Sequence, residues 1–144
     1  MVNVCTETVI RRPAAVVAAF AADPANVPKW YRNISSVKRT SPDGPVLGSH
    51  WAFVAKFLGQ TLSYEYTIVE FVEGQRLVMR TKQGPFPMAT TYTWVAVGDS
   101  SSRMTLRNEG EPSGFSSLVS PFLSVAMRAA NRKDLKKLKD LLEA

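Results

Sequence analysis

Cysteine and histidine are nearly missing from this chain of 144 residues, where Cys5 and His50 each stand alone. A lone cysteine cannot close an internal disulfide, and one thiol plus one imidazole is too small a set of nitrogen and sulfur ligands for a zinc site. No metal or other cofactor is therefore expected, and sparse cysteine suits a reducing compartment. Long apolar runs are also lacking: none approaches the roughly 20 residues that a membrane-spanning helix needs. The opening "MVNVCTETVIRRP" has neither the basic start nor the apolar core of a secretion signal. A soluble, cytoplasmic protein without stable membrane insertion is the expectation. No Gly-x-Ser-x-Gly elbow is present, and one histidine cannot be assumed to serve a triad, so hydrolase chemistry has no support. The sequence assigns no catalytic residue.

What is abundant is positive charge, a net +6. Its location matters more than its size. Between Arg128 and Glu143 lie six basic residues (Arg128, Arg132, Lys133, Lys136, Lys137, Lys139) and three acidic ones (Asp134, Asp140, Glu143), so this one segment carries half of the excess. A basic face on a single helix reads as a solvated face, and nucleic acid is not an expected partner. The length fits one domain over residues 1–144, able to bury roughly 70% of the unfolded chain's surface. Nothing in the sequence specifies an oligomeric state.

Residues 2–11 alternate, with Val2, Val4, Thr6, Thr8 and Ile10 on one side, as a half-buried strand does. Pro13 suits the start of a helix on which Val16, Val17 and Phe20 recur, and Asp23-Pro24 ends it. "DPANVPKWYR" is too broken by proline for a long helix and reads as a second short helix or turn bearing Trp30 and Tyr31. Strands follow in series. Trp51, Phe53, Ala55 and Phe57 share one face of the next long run, and Leu62, Tyr64, Tyr66 and Ile68 share a face of the run after it. The phase blurs near Val69–Phe71, where a bulge is expected. "IVEFVEGQRLVMRT" then reads as a hairpin, because Gly74 can take the positive φ of a tight turn. Phe86, Met88, Tyr92 and Trp94 fall together on a further strand, and Met104 and Leu106 oppose Arg103, Thr105 and Arg107 on the last. After Ser120-Pro121, Leu123, Met127, Ala130, Leu135, Leu138 and Leu142 form the apolar stripe of a long amphipathic helix. Such a stripe must lie on something, and the aromatic sheet face is available.

With that order in place, the whole chain resembles the START-like (SRPBCC, Bet v 1-like) superfamily often labelled polyketide cyclase/dehydrase. "VIRRPAAVVAAFAADPANVPKWYRNISSVKRT" is similar to the family's opening, and "IVEFVEGQRLVMRT" resembles its mid-sheet hairpin. In that hairpin Glu73-Gly74 stands where many members have proline, a difference of turn type. "DLKKLKDLLEA" is similar to the usual end of the last helix. The resemblance implies an α+β helix-grip fold: a curved antiparallel β-sheet wrapped around a long C-terminal helix, with two short helices after the first strand. It also implies a cavity between sheet and helix. Family members include lipid and sterol carriers, aromatase/cyclase enzymes and chaperone-binding modules, so fold alone does not fix function.

Ordinary core packing accounts for any one aromatic residue. Together, Trp51, Phe53, Tyr64, Tyr66, Tyr92, Trp94 and Met104 are the candidates for a cavity wall, joined by Trp30, Met88 and Met127. Buried tyrosine and tryptophan bring polar handles that need partners, which suits an amphipathic or aromatic guest. Glu70 and Asn108 fall in the inward phase, so either could place a polar atom in the pocket. A buried carboxylate is costly unless paired, and a strand-end ion pair of Glu70 with Arg76, Arg80 or Arg107 is the plainer alternative. His50, opposite in phase to Trp51, is expected at solvent or the cavity rim. "QGPFPM" (83–88) reads as a stiff turn or as a rim loop. The expected partner is a small hydrophobic ligand, lipid-like or polyketide-like. A polyketide cyclase/dehydratase-type enzyme and a protein- or membrane-surface interaction module remain the alternatives.

Overall fold

The computed structural model describes residues 2–40, 47–57, 59–81, 87–110 and 120–144. Strand β1 (Val2–Ile10) leads into helix α1 (Ala14–Ala21), a 3-10 turn (Pro24–Asn26) and helix α2 (Val27–Trp30). Six strands follow: β2 (Ile34–Arg39), β3 (His50–Phe57), β4 (Gln60–Val72), β5 (Arg76–Thr81), β6 (Met88–Ala96) and β7 (Ser102–Gly110). Helix α3 (Ser120–Glu143) closes the chain. All neighbouring strands are antiparallel, in the order β1-β7-β6-β5-β4-β3-β2. The result is a curled half-barrel gripping α3, as the sequence pattern implies. Phe86 and the segment 83–86, read as a rim loop, lie outside the described residues.

Local chemistry explains the punctuation. Pro13 sits just before α1, where its missing N–H costs no helical hydrogen bond. Asp23 accepts a hydrogen bond from the Ala25 N–H at 3.0 Å, capping the next turn. Gly74 takes φ +75°, and Gln75 N–H reaches Val72 O at 2.9 Å, so the β4–β5 hairpin closes on the one residue free to adopt that backbone. The register of β4 on β5 shifts between Ile68 and Glu70, which locates the expected bulge at Val69.

The inner face of the sheet and the buried stripe of α3 form the main core, with Ile68, Met79, Tyr92, Trp94, Met104, Leu106, Leu135 and Leu138 among its members. A second cluster joins Val2 and Val4 to Leu123 and Met127, and Met88 touches both. The stripe differs from the apolar pattern in one respect: Asn131 and Asp134 are buried within it.

Helix α3 also covers the free edge of β1. Arg128 Nη1 donates to Cys5 O at 3.3 Å and Lys139 Nζ donates to Val9 O at 2.7 Å, which occupies carbonyls that no strand pairs. At the helix end, Glu143 accepts from Lys139 Nζ at 2.6 Å and from the Arg11 N–H at 2.8 Å, while Arg12 Nη1 donates to Leu142 O at 2.9 Å. These bonds, the Lys139 contact foremost, pull the Glu143 carboxyl down to about 2. Because that value is depressed, the contribution of this latch to stability is present above the ordinary carboxylate range and is lost only as pH falls through about 2.

Leu138 is fully buried and Lys136 projects into solvent, 74% exposed at its side chain. Leu138→Ala is expected to cost about 2–5 kcal/mol. Lys136→Ala is expected to cost little, since exposed ion pairs contribute weakly. Urea midpoints of the two variants measure the difference, and equal small losses would contradict the seating of α3 described here.

Candidate functional site

Ten side chains enclose a cavity of about 70 Å3 between the sheet and the short helices: Tyr31, Ile34, Phe53, Tyr64, Tyr66, Met79, Met88, Thr90, Tyr92 and Asn108. Antiparallel pairing brings them together, since Phe53 is the register partner of Tyr64 and Thr90 that of Asn108. The aromatic wall is interlocked. Phe53 stacks on Tyr64 with ring centroids 6.0 Å apart and meets Tyr66 edge-on at 5.0 Å.

Polar atoms on this wall are arranged in two sets. Tyr31 Oη and Tyr92 Oη lie 2.6 Å apart, one donating to the other. Thr90 Oγ1 donates to Asn108 Oδ1 at 2.8 Å, and Tyr66 Oη lies 3.4 Å from the same threonine oxygen. Burial pushes all the cavity tyrosines upward, Tyr66 to about 12 and Tyr31, Tyr64 and Tyr92 further from their ordinary value. The hydroxyls stay protonated at any physiological pH and present donors to whatever occupies the space.

Behind this wall stands a carboxylate. Asp134, on the buried side of α3, accepts from the Arg32 N–H at 3.1 Å. Burial raises its carboxyl from 3.8 to about 6, against the lowering effects of that hydrogen bond and of the Arg32 and Lys137 charges. Its charge in turn raises both Tyr31 and Tyr92. On its other side Asp134 borders an open groove of about 270 Å3, formed where Arg32 and Asn33 pass Ala126, Ala129, Ala130 and Lys133 of α3.

The structure sorts the residues singled out from sequence. Phe53, Tyr64, Tyr66, Met88, Tyr92 and Asn108 line the cavity together. Trp30 packs behind it, with ring centroids 4.4 Å from Tyr31 and 5.7 Å from Tyr92, and its buried Nε1 finds no acceptor among the described residues. Trp51 is buried with its Nε1–H donating to Ser49 Oγ at 3.1 Å. Trp94 and Met104 are packed in the main core, and Met127 sits in the second cluster. None of these five is among the residues lining the cavity. Glu70 requires a correction. The bulge turns it outward, where it meets Arg76 at 2.9 Å with its side chain 48% exposed, so it offers the pocket no carboxylate. His50 lies partly exposed, with Nδ1 2.9 Å from Thr67 Oγ1.

Tyr31, Ile34, Met79, Thr90 and Asp134 were not singled out by the sequence pattern. Thr90 was reachable, since it lies between Met88 and Tyr92 in their own phase. Asp134 follows Met127 by seven positions and precedes Leu138 by four, a helical spacing that places it in the apolar stripe. Among the described residues, no three His, Cys, Asp or Glu side chains group as a metal site would require. No helix of those residues is long and apolar enough to cross a membrane.

A curled antiparallel sheet closed by one long helix, with a tyrosine-lined cavity between them, is a START-like helix-grip ligand-binding fold. The chain belongs to the family described as polyketide cyclase / dehydrase and lipid transport, whose model matches residues 1–143. It is similar to the solved structure of the Zhui aromatase/cyclase from a Streptomyces species, with 11% identity, a TM-score of 0.83, and coverage of 98% of this chain and 93% of that one. A START superfamily protein from Mycobacterium smegmatis matches with 14% identity, a TM-score of 0.78, and coverage of 98% and 97%. A protein from Thermus thermophilus matches with 19% identity, a TM-score of 0.81, and coverage of 96% and 94%. At these identities the likeness establishes the fold. A search of curated protein sequences finds no match.

Asp134 carries a pH signature opposite to that of Glu143. A carboxyl whose folded value is raised disfavours the fold when ionised, so its penalty is absent below about 4 and grows as pH rises through about 6. Asp134→Asn keeps an oxygen for the Arg32 N–H and removes the charge. It is expected to raise the melting temperature at about pH 8 and to leave it unchanged at about pH 4. A melting series across that range checks both halves of the statement.

Proposed function

We propose that the protein binds a small hydrophobic, lipid-like or polyketide-like ligand in the cavity between the sheet and α3. The observation that carries this reading is the composition of the wall: aromatic and thioether surface interrupted by tyrosine, threonine and asparagine oxygens on one side of a helix-grip fold. Apolar pockets with a few fixed polar groups are built for amphipathic guests. Membership of a family whose description includes lipid transport supports it.

At about 70 Å3 the space is far below the roughly 300–1,000 Å3 of small-molecule pockets. Entry of a ligand therefore requires the wall to yield. Met79 and Met88 are the residues suited to that, because an unbranched thioether chain repacks at low cost. Met88 also touches Leu123 and Met127, so its displacement is felt by the first turns of α3. The Tyr31–Tyr92 pair would offer a hydroxyl to a ligand carbonyl or hydroxyl group.

A second reading, cyclase- or dehydratase-type chemistry, is favoured by one observation. Asp134, raised to about 6, stands close enough to this hydroxyl pair to perturb both members. A carboxylate that titrates near neutrality beside permanently protonated phenols has the makings of a general base beside hydrogen-bond donors. In this reading Asp134→Asn would abolish turnover of a polyketide-like substrate and leave its binding intact.

Native mass spectrometry of the purified chain, followed by titration with an apolar fluorescent probe and a fatty acid, tests the binding reading. One-to-one binding with a change in tryptophan emission is expected, since Trp30 packs on two cavity tyrosines. Thr90→Phe, which fills the space, and Tyr92→Ala, which widens it, are expected to shift affinity by about tenfold or more in folded protein, while Lys136→Ala is silent. Folded cavity variants that bind the probes as the wild type does would overturn the assignment, as would a wild type that binds none.

A further inference from the structure

The outer row of α3 joins two properties that seldom coincide on a soluble surface. Phe122, Val125, Ala129, Arg132, Lys133 and Lys136 are all exposed and recur at helical spacing, on the side opposite to Leu123, Met127, Leu135 and Leu138. Phe122 is 77% exposed and Val125 69%, the two most exposed large apolar side chains of the described residues. Further along, the same row turns cationic, with Lys137 beside it. The acid on this side, Asp140, is held by Lys136 at 2.9 Å. The row thus has an apolar end and a basic end, and the Arg32 and Lys133 groove runs beside it.

We propose that this face of α3 docks on an anionic lipid bilayer, with Phe122 and Val125 entering the interface and Arg132, Lys133 and Lys136 lying against headgroup phosphates. Positive charge alone would fit any polyanion. A phenyl ring and an isopropyl group in line with it fit a surface that offers hydrocarbon directly beneath its phosphates, and a duplex nucleic acid offers none at its backbone. The helix lies on such a surface and does not cross it, since its inner side is committed to the core. The placement has a further consequence. The turns that carry Phe122 and Val125 outward carry Leu123 and Met127 inward, and these pack on Met88 of the cavity wall. Docking therefore brings the movable part of that wall to the bilayer. The inference goes beyond ligand binding and is tested without a ligand.

The test is co-sedimentation of the whole chain with vesicles of phosphatidylcholine alone, or of phosphatidylcholine mixed with phosphatidylglycerol. Binding to the anionic vesicles is expected to exceed binding to the neutral ones by about tenfold or more and to weaken as salt is raised. Lys133→Glu with Lys136→Glu is expected to remove the anionic preference. Phe122→Ser with Val125→Ser is expected to lower binding to anionic vesicles by about tenfold at every salt concentration. All four positions are exposed, so melting curves should match the wild type. Phe122→Trp is expected to be quenched by bromine-labelled lipid in anionic vesicles. A wild type that sediments with neither vesicle overturns the proposal. So does vesicle binding that ignores the Phe122 and Val125 pair while duplex DNA competes for the same face, which would mark a general polyanion surface. Probe binding in the cavity is measured separately in vesicle-free buffer, so loss of either activity is distinguishable from loss of the other.

Discussion

The seating of one helix on the concave side of the sheet is the constraint on which everything else depends. A curled sheet of seven strands has an inner face too large for α1 and α2 to cover, and α3 supplies most of the remaining apolar surface through Leu123, Met127, Leu135 and Leu138. The hydrophobic driving force scales with area removed from water, so the helix is held by its stripe. The charged contacts to β1 set its direction and depth. Two ends of the same helix then behave differently. Its second half is anchored in the main core and latched by Glu143, whereas its first turns belong to a smaller cluster that shares Met88 with the cavity.

That division gives the buried polar groups their meaning. A protein that needed only a core would have little use for Asp134 in the stripe, because an ionised carboxylate there opposes folding. Its position between the Tyr31–Tyr92 hydroxyls and the Lys133 groove links inner cavity to outer surface through the thickness of a single turn of helix. The price in stability is concentrated where the molecule meets other molecules.

The architecture was legible because its two periods are clean. Alternation in β1, β3 and β7 and the spacing of leucines in α3 survive into the structure almost residue by residue. Half of the cavity wall followed from the same alternation, including Phe53, Tyr66, Tyr92 and Asn108. The failures have specific physical origins. Glu70 was misplaced because the extra residue at Val69 reverses the phase of everything beyond it, and a bulge has no fixed sequence mark. Met79 was hidden because Leu77, Val78 and Met79 are all buried, leaving no alternation to read. Tyr31 and Ile34 lie in the bend after α2, where neither period holds. Asp134 went unnoticed because a polar residue in an apolar stripe looks like an interruption of the pattern, when it is a member of it.

The edge of β1 has a meaning for assembly. An open strand edge invites any other strand to pair with it, and here the invitation is withdrawn by Arg128 and Lys139, which hold the Cys5 and Val9 carbonyls. The same helix therefore guards both the pocket and the margin of the sheet. Movement that loosens α3 along its whole length would expose a template for self-association, whereas movement confined to its first turns would leave Lys139 and the Glu143 latch in place. Breathing of the pocket and integrity of the monomer are separable only because the guard is fastened at one end.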